Sequence, residues 1–352
     1  MAASVWLTWK MHRFEVLFVA CLTAVLAVSA LIVTSHITGI GLSETCWPRT
    51  GDSTPATAAC DDMMTRFWSI AGAEGSYLRM GLALVTPIAG LILGVPVVAR
   101  ELETRTTAFA WSLESRRWRW VLSRALPMLL VAIIGFAILG AAGALFFGAL
   151  ATGHETAALT EVGSQGPALM ARGLLAFGVA LLIGALLGRT MPAFLVAAVV
   201  LVAWFALGMD LVQGDLSRQW GVWVRDGDLG SEPAAPIAYI TSGQFDTTQP
   251  GVDGRPGADF DYDALDRLVQ TTCGAYPQDP SDPNDEVTSP AEAAWITCAE
   301  PIRQRGDDRQ WDEVVPASRF GDYVSVDTVL SLLIGGIAIA LTFPVVARRR
   351  PA

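Results

Sequence analysis

A chain of 352 residues that is 52% hydrophobic and 16% charged, with a mean hydropathy of +0.44, is too apolar for an ordinary soluble domain and reads as a multi-spanning membrane protein. Its net charge of -10 argues against a nucleic-acid partner. Lys10 is the only lysine, and it follows Trp9 with no glycine-rich turn before it, so the chain cannot carry an ATPase phosphate loop of the G-x-x-x-x-G-K-[ST] kind.

The first element is "SVWLTWKMHRFE", where Trp6, Trp9, Lys10 and Arg13 mark an amphipathic helix lying on the inner membrane surface and feeding the first span. A bilayer core about 30 Å thick needs roughly 20 apolar residues in a helix. Six stretches qualify: Val16 to Ser35, Met80 to Ala99, Ala125 to Leu150, Leu169 to Leu187, Thr190 to Leu207 and Val329 to Val346. A secretory signal competes for the first, because Val28-Ser29-Ala30 resembles a cleavage site, but its apolar run continues through Leu31, Ile32 and Val33. Only Gly188-Arg189-Thr190 interrupts the fourth and fifth, which therefore form a tight hairpin with its turn at the membrane surface.

Orientation follows from the basic residues. With the N-terminus inside, the inner segments hold Lys10, Arg13, Arg100, Arg105, Arg116, Arg117, Arg119, Arg124, Arg189, Arg348, Arg349 and Arg350 against only Glu15, Glu101, Glu103 and Glu114. All the remaining acids fall outside, and both termini are then cytoplasmic. Cys46, Cys60, Cys273 and Cys298 also lie outside, where an oxidising compartment favours two disulfides. Cys46 with Cys60 and Cys273 with Cys298 is the simplest pairing, although four cysteines allow three connectivities. The expected fold is an all-α polytopic membrane protein with a small disulfide-containing extracellular domain between the fifth and sixth spans. Its parts are residues 1–208, 209–325 and 326–352.

That outer domain is rich in Asp, Pro and Gly but also holds Trp220, Trp223, Trp295 and Trp311, as a folded unit would. "WGVWVRDGDLG" reads as a strand and turn, and "DYDALDRLVQTTC" as a short helix. The clusters Asp259, Asp261, Asp263, Asp266 and Asp279, Asp282, Asp285, Glu286 lack the glycine and terminal glutamate of a calcium loop and read as a solvated acidic surface. The three histidines have no metal-ligand spacing, and no nucleophile has a placed base, so neither a metal site nor a catalytic site is expected. No charge falls in the middle of a span; Arg79, Arg172 and Asp210 lie near the outer ends, which argues against an ion-coupled carrier.

The informative inner segment is "GVPVVARELETRTTAFAWSLESRRWRW", from Gly94 to Trp120. Arginine and tryptophan from Arg116 onward anchor the next helix at the interface. "RELETRTT" alternates acid and base before any further apolar run, as a solvated surface offered to a partner would. Gly90 with Gly94 and Gly184 with Gly188 form small-xxx-small pairs that allow close helix approach, within the chain or to a second copy.

"TWKMHRFE", "GVPVVARELETRTTAFAWSLESRRWRWVLSRAL" and "VVPASRFGDYVSVDTVLSLL", with the final "ARRR", resemble actinobacterial permease subunits of ATP-binding-cassette (ABC) transporters of the type-2 permease class. The resemblance implies a surface elbow helix at about Val5 to Phe14 and a coupling helix at about Glu101 to Leu113. The implied coupling residues are Glu101, Glu103, Thr104 and Arg105 as polar contacts, with Phe109, Trp111 and Leu113 as an apolar plug. It also implies a second permease, identical or homologous, and a separate ATPase subunit that holds the ATP and Mg. On this reading the chain is the non-catalytic permease of an exporter in the plasma membrane, carrying an amphipathic or hydrophobic substrate. After Phe320 the chain has Gly321-Asp322-Tyr323 where the family often has an aromatic and a glutamine. The alternative is a membrane-anchored sensor or interaction protein whose outer domain binds a ligand or partner without transport.

Overall fold

The computed structural model describes residues 2–42, 46, 58–104, 117–151, 163–164, 166–208, 212, 222–225, 239–245, 269–275, 293–299, 310–315 and 317–349. The chain divides into two compact units. One comprises Met1–Trp47, Pro55–Leu216 and Phe320–Ala352; the other comprises Pro48–Thr54 and Ser217–Arg319.

The first unit is built from helices. Within a bilayer no water is present to satisfy the backbone, so each spanning segment has to close its own hydrogen bonds, and apolar runs of this length do so as helices. They are α1 (Ala2–Gly39), α2 (Ala58–Gly72), α3 (Glu74–Glu103), α4 (Arg117–Ala151), α5 (Gly166–Leu187) and α6 (Thr190–Ala203), and then α7 (Ala317–Arg348) at the end of the chain. A single π-helical turn, Trp204–Gly208, extends α6. Six of these are long and apolar enough to cross a membrane, and they contain the six stretches foreseen from hydropathy. Two differences have physical causes. Hydropathy does not mark α2 because its polar face carries Asp61, Asp62 and Arg66, with Arg66 paired to Asp62 at 2.9 Å; its other face buries Phe67 and Ala71. The last helix begins a dozen residues before Val329, because the charges of Asp322 and Asp327 lower its hydropathy without preventing helix formation.

α5 is the central helix: 72% of its apolar stretch is buried, against 17% for the span that includes α6. Glycine makes its packing on α3 possible. A Cβ at Gly90 would stand 2.7 Å from the Gly173 carbonyl oxygen, one at Gly94 2.6 Å from that of Phe177, and one at Gly184 2.8 Å from that of Val95. The small-xxx-small glycines therefore serve a contact within the chain. Gly188, with φ of +64°, makes the α5–α6 turn in the left-handed conformation that glycine adopts without strain.

The second unit contains a three-stranded antiparallel sheet of β1 (Val222–Arg225), β2 (Tyr239–Phe245) and β3 (Gln310–Val315) in the order β1-β3-β2. Val222 pairs with Val314 and Arg225 with Trp311, while Tyr239 pairs with Val315 and Phe245 with Gln310, past an irregularity between Ile240 and Ser242. The all-α expectation thus applies to the spanning unit and not to this one. The strand expected in "WGVWVRDGDLG" is β1. Residues 269–273 are helical, at the end of the expected "DYDALDRLVQTTC" helix. Cys273 is bonded to Cys298, and the Trp295 indole N–H donates to the Gly274 carbonyl at 3.0 Å. The aspartate clusters lie outside the described residues.

Candidate functional site

The last turn of α3 carries Arg100, Glu101 and Glu103. Successive helical residues turn by about 100°, so these three side chains leave the helix in three directions. Each meets a different helix. Arg100 Nη1 lies 3.2 Å from Glu15 Oε1 on α1. Arg124 Nε on α4 lies 3.0 Å from Glu101 Oε1. The Glu103 carboxylate accepts from the Thr190 N–H at 2.9 Å and from the Thr190 hydroxyl at 2.6 Å, at the start of α6. Thr104 closes the turn, its hydroxyl donating to the Arg100 carbonyl at 2.9 Å.

These contacts differ in the water they see. Glu101 and Arg124 are 9% and 11% exposed, so removing either leaves an uncompensated buried charge at a cost of about 3–5 kcal/mol. Arg100 is 56% exposed, and exposed pairs contribute about 0–1 kcal/mol. Around this end, α1 leaves helical geometry at His12, with φ of -111° and ψ of 15°. The His12 ring is buried, 4.0 Å from Glu15 Oε1. The segment before this break holds Trp6, Trp9 and Lys10 of the expected surface helix; Arg13 follows it, exposed, its guanidinium 4.8 Å from the Phe14 ring centre. At the chain's end Arg349 donates to the Leu186 carbonyl beside the Gly188 turn.

Of the expected coupling residues, Glu101, Glu103 and Thr104 are thus drawn together at the end of α3. Arg105, Phe109, Trp111 and Leu113 lie outside the described residues. The charge alternation that reads in sequence as a solvated surface serves, at Arg100, Glu101 and Glu103, contacts within the chain. Arg124 and Thr190 were not singled out, since their partners lie 23 and 87 positions away and no local pattern marks them.

The opposite end has its own charged pair. Arg172 Nε on α5 lies 3.1 Å from Asp327 Oδ2 on α7, with side chains 15% and 5% exposed. The Arg172 guanidinium also faces the Phe205 ring in the π-helical turn, at 5.9 Å. Asp327 does not stand out in the sequence because it falls just before the apolar run, with Asp322 close by; the available signal is Arg172, the one charged residue of α5, which needs an acid from another span. At this end Cys46 is bonded to Cys60 across 14 positions, and the His36 ring stands 3.4 Å from Glu74 Oε2. Both disulfides have the simplest of the connectivities. Among the described residues no three His, Cys, Asp or Glu side chains gather as a metal site.

Residues 16–212 match the family model described as ABC-2 membrane transporter related. That span covers α1 from just past its break through α6, including the whole α3 hub. Comparison with curated proteins and with solved structures returns no match.

Proposed function

Because the chain belongs to the ABC-2 membrane transporter related family, we propose that it is the permease of an ATP-driven exporter in the plasma membrane, with both termini cytoplasmic and the sheet-containing unit extracellular. A separate ABC ATPase subunit binds ATP and Mg, and a second permease, identical or homologous, completes the pathway. The cargo is amphipathic or hydrophobic, since the spans present an apolar interior with charge confined near their ends. One observation carries this reading. The last turn of α3, which leads into residues 105–116, carries Arg100, Glu101 and Glu103, and these reach α1, α4 and α6, so a force applied there is delivered to three spans at once.

Within the coupling set, Glu101, Glu103 and Thr104 brace the base, while Arg105, Phe109, Trp111 and Leu113 meet the ATPase. Trp6, Trp9, Lys10 and Arg13 hold the elbow helix at the membrane surface, where indole rings and cationic side chains suit the headgroup layer. Drive comes from the difference in the loop's interaction with the two states of the ATPase, because only a differential affinity shifts a conformational equilibrium.

The test is co-purification followed by turnover. The chain should bring down a nucleotide-binding subunit whose ATP hydrolysis responds to amphipathic cargo in proteoliposomes, and scrambling residues 104–113 should abolish both. Retention of the ATPase by the scrambled chain would remove the loop from its role. Absence of any ATPase from the intact chain would overturn the reading as a whole.

A further inference from the structure

α6 is the least embedded of the spans, and what it buries is one stripe: Ala193, Ala197 and Leu201. The two alanines pack on Val95 and Ala99 of α3 and on Ala180 and Ile183 of α5. Met191, Leu195, Val199 and Val202 point away, each about two-thirds exposed or more. A seam of methyl groups offers few interlocking side chains, so it opposes sliding weakly compared with a core of large residues.

The start of α6 is held differently. Its N-cap position, Arg189, is extended and contributes no side-chain hydrogen bond. The cap comes from another helix, since Glu103 accepts from both the Thr190 N–H and the Thr190 hydroxyl. A carboxylate suits this place, where free N–H groups and the helix dipole present positive charge. Glu103 is also the last residue of α3, one position before its C-cap Thr104. It is exposed, so when the contact opens both partners return to water and neither is stranded. Glu101, buried with Arg124 in the same turn, has no such freedom.

We propose that Glu103 is a positioning residue, a releasable cap borrowed by α6 from α3, through which movement at the Thr104 end of α3 shifts α6 along its alanine seam while α4 stays fixed to α3 by the Glu101–Arg124 pair. The inference rests on the transporter reading for its role but not for its geometry. A shift of α6 carries the π-helical turn with it, and thereby Phe205 beneath Arg172.

The test uses the full chain in phosphatidylcholine/phosphatidylglycerol nanodiscs, with Cys21→Ser and nitroxide labels at L145C on α4 and V199C on α6. A parent with intact Glu103 should give one narrow label distance, and Glu103→Ala a broadened or second one. Hydrogen exchange of the Thr190 amide should quicken about tenfold in Glu103→Ala. Glu103→Gln, whose amide oxygen still accepts, should stay close to the parent on both measures. An unchanged distance distribution and exchange rate in Glu103→Ala would overturn the cap, and neither measurement needs an ATPase. In the complex with its ATPase, ATP and Mg should move the α6 label in the parent and not in Glu103→Ala. Movement that persists in Glu103→Ala, or hydrolysis without movement in the parent, would overturn the transmission and leave the transporter reading standing.

Discussion

The two ends of the helical unit hold charge in different ways. At the Thr104 end, one turn of α3 reaches three helices, through Arg100 and Glu103, which are open to water, and Glu101, which is buried with Arg124. At the other end the pairs are separate, Arg172 with Asp327 buried and His36 with Glu74 exposed, and a disulfide joins Cys46, past the end of α1, to Cys60 in the first turn of α2. Exposed contacts exchange with water at little cost, whereas a buried pair once broken leaves a charge without solvent. The first end gathers its contacts on one helical turn, and the second adds a covalent tie to its buried pair.

Breaking the buried pair should have the largest effect. Asp327→Ala should destabilise the chain by about 3–5 kcal/mol, read as a loss of thermal stability in detergent, and Arg172→Met with Asp327→Leu together should recover most of it, because the stranded charge is gone. If the double replacement is no better than the single, the pair is not the source of the loss. Next is the covalent tie. Cys46→Ser with Cys60→Ser should lower stability by about 3 kcal/mol through the freed loop, measured by comparing melting of the two chains under oxidising conditions. Smallest should be Arg100→Ala, under about 1 kcal/mol, and the parent's advantage over it should vanish in 1 M salt as the Debye length falls from about 10 to about 3 Å. An Arg100 effect equal to that of Asp327 would erase the contrast between exposed and buried pairs.

The spans could be located from hydropathy because a bilayer demands a long apolar run, which is a local property. α2 escaped because its burial is one-sided: Phe67 and Ala71 face inward while Asp61, Asp62 and Arg66 set the average. The candidate site was legible only as a location. "RELETRTT" announced itself by its charge, but the partners of Arg100, Glu101 and Glu103 are long-range and leave no mark in the neighbouring sequence. Asp327 shows the same limit in reverse, for a hydropathy reading penalises the very charge that Arg172 neutralises in the fold. The glycine spacing at Gly90, Gly94 and Gly184 was visible, yet the partner helix was not.

Those glycines have a mechanical consequence. With glycine set against backbone at three levels, α3 and α5 have little but alanine methyl groups between them there to compress, so they travel as one girder. Arg172 stands at one end of that girder and Thr104 at the other. Whatever tilts the Thr104 end therefore also tilts the arginine that fastens α7, without any relay of small side-chain movements in between.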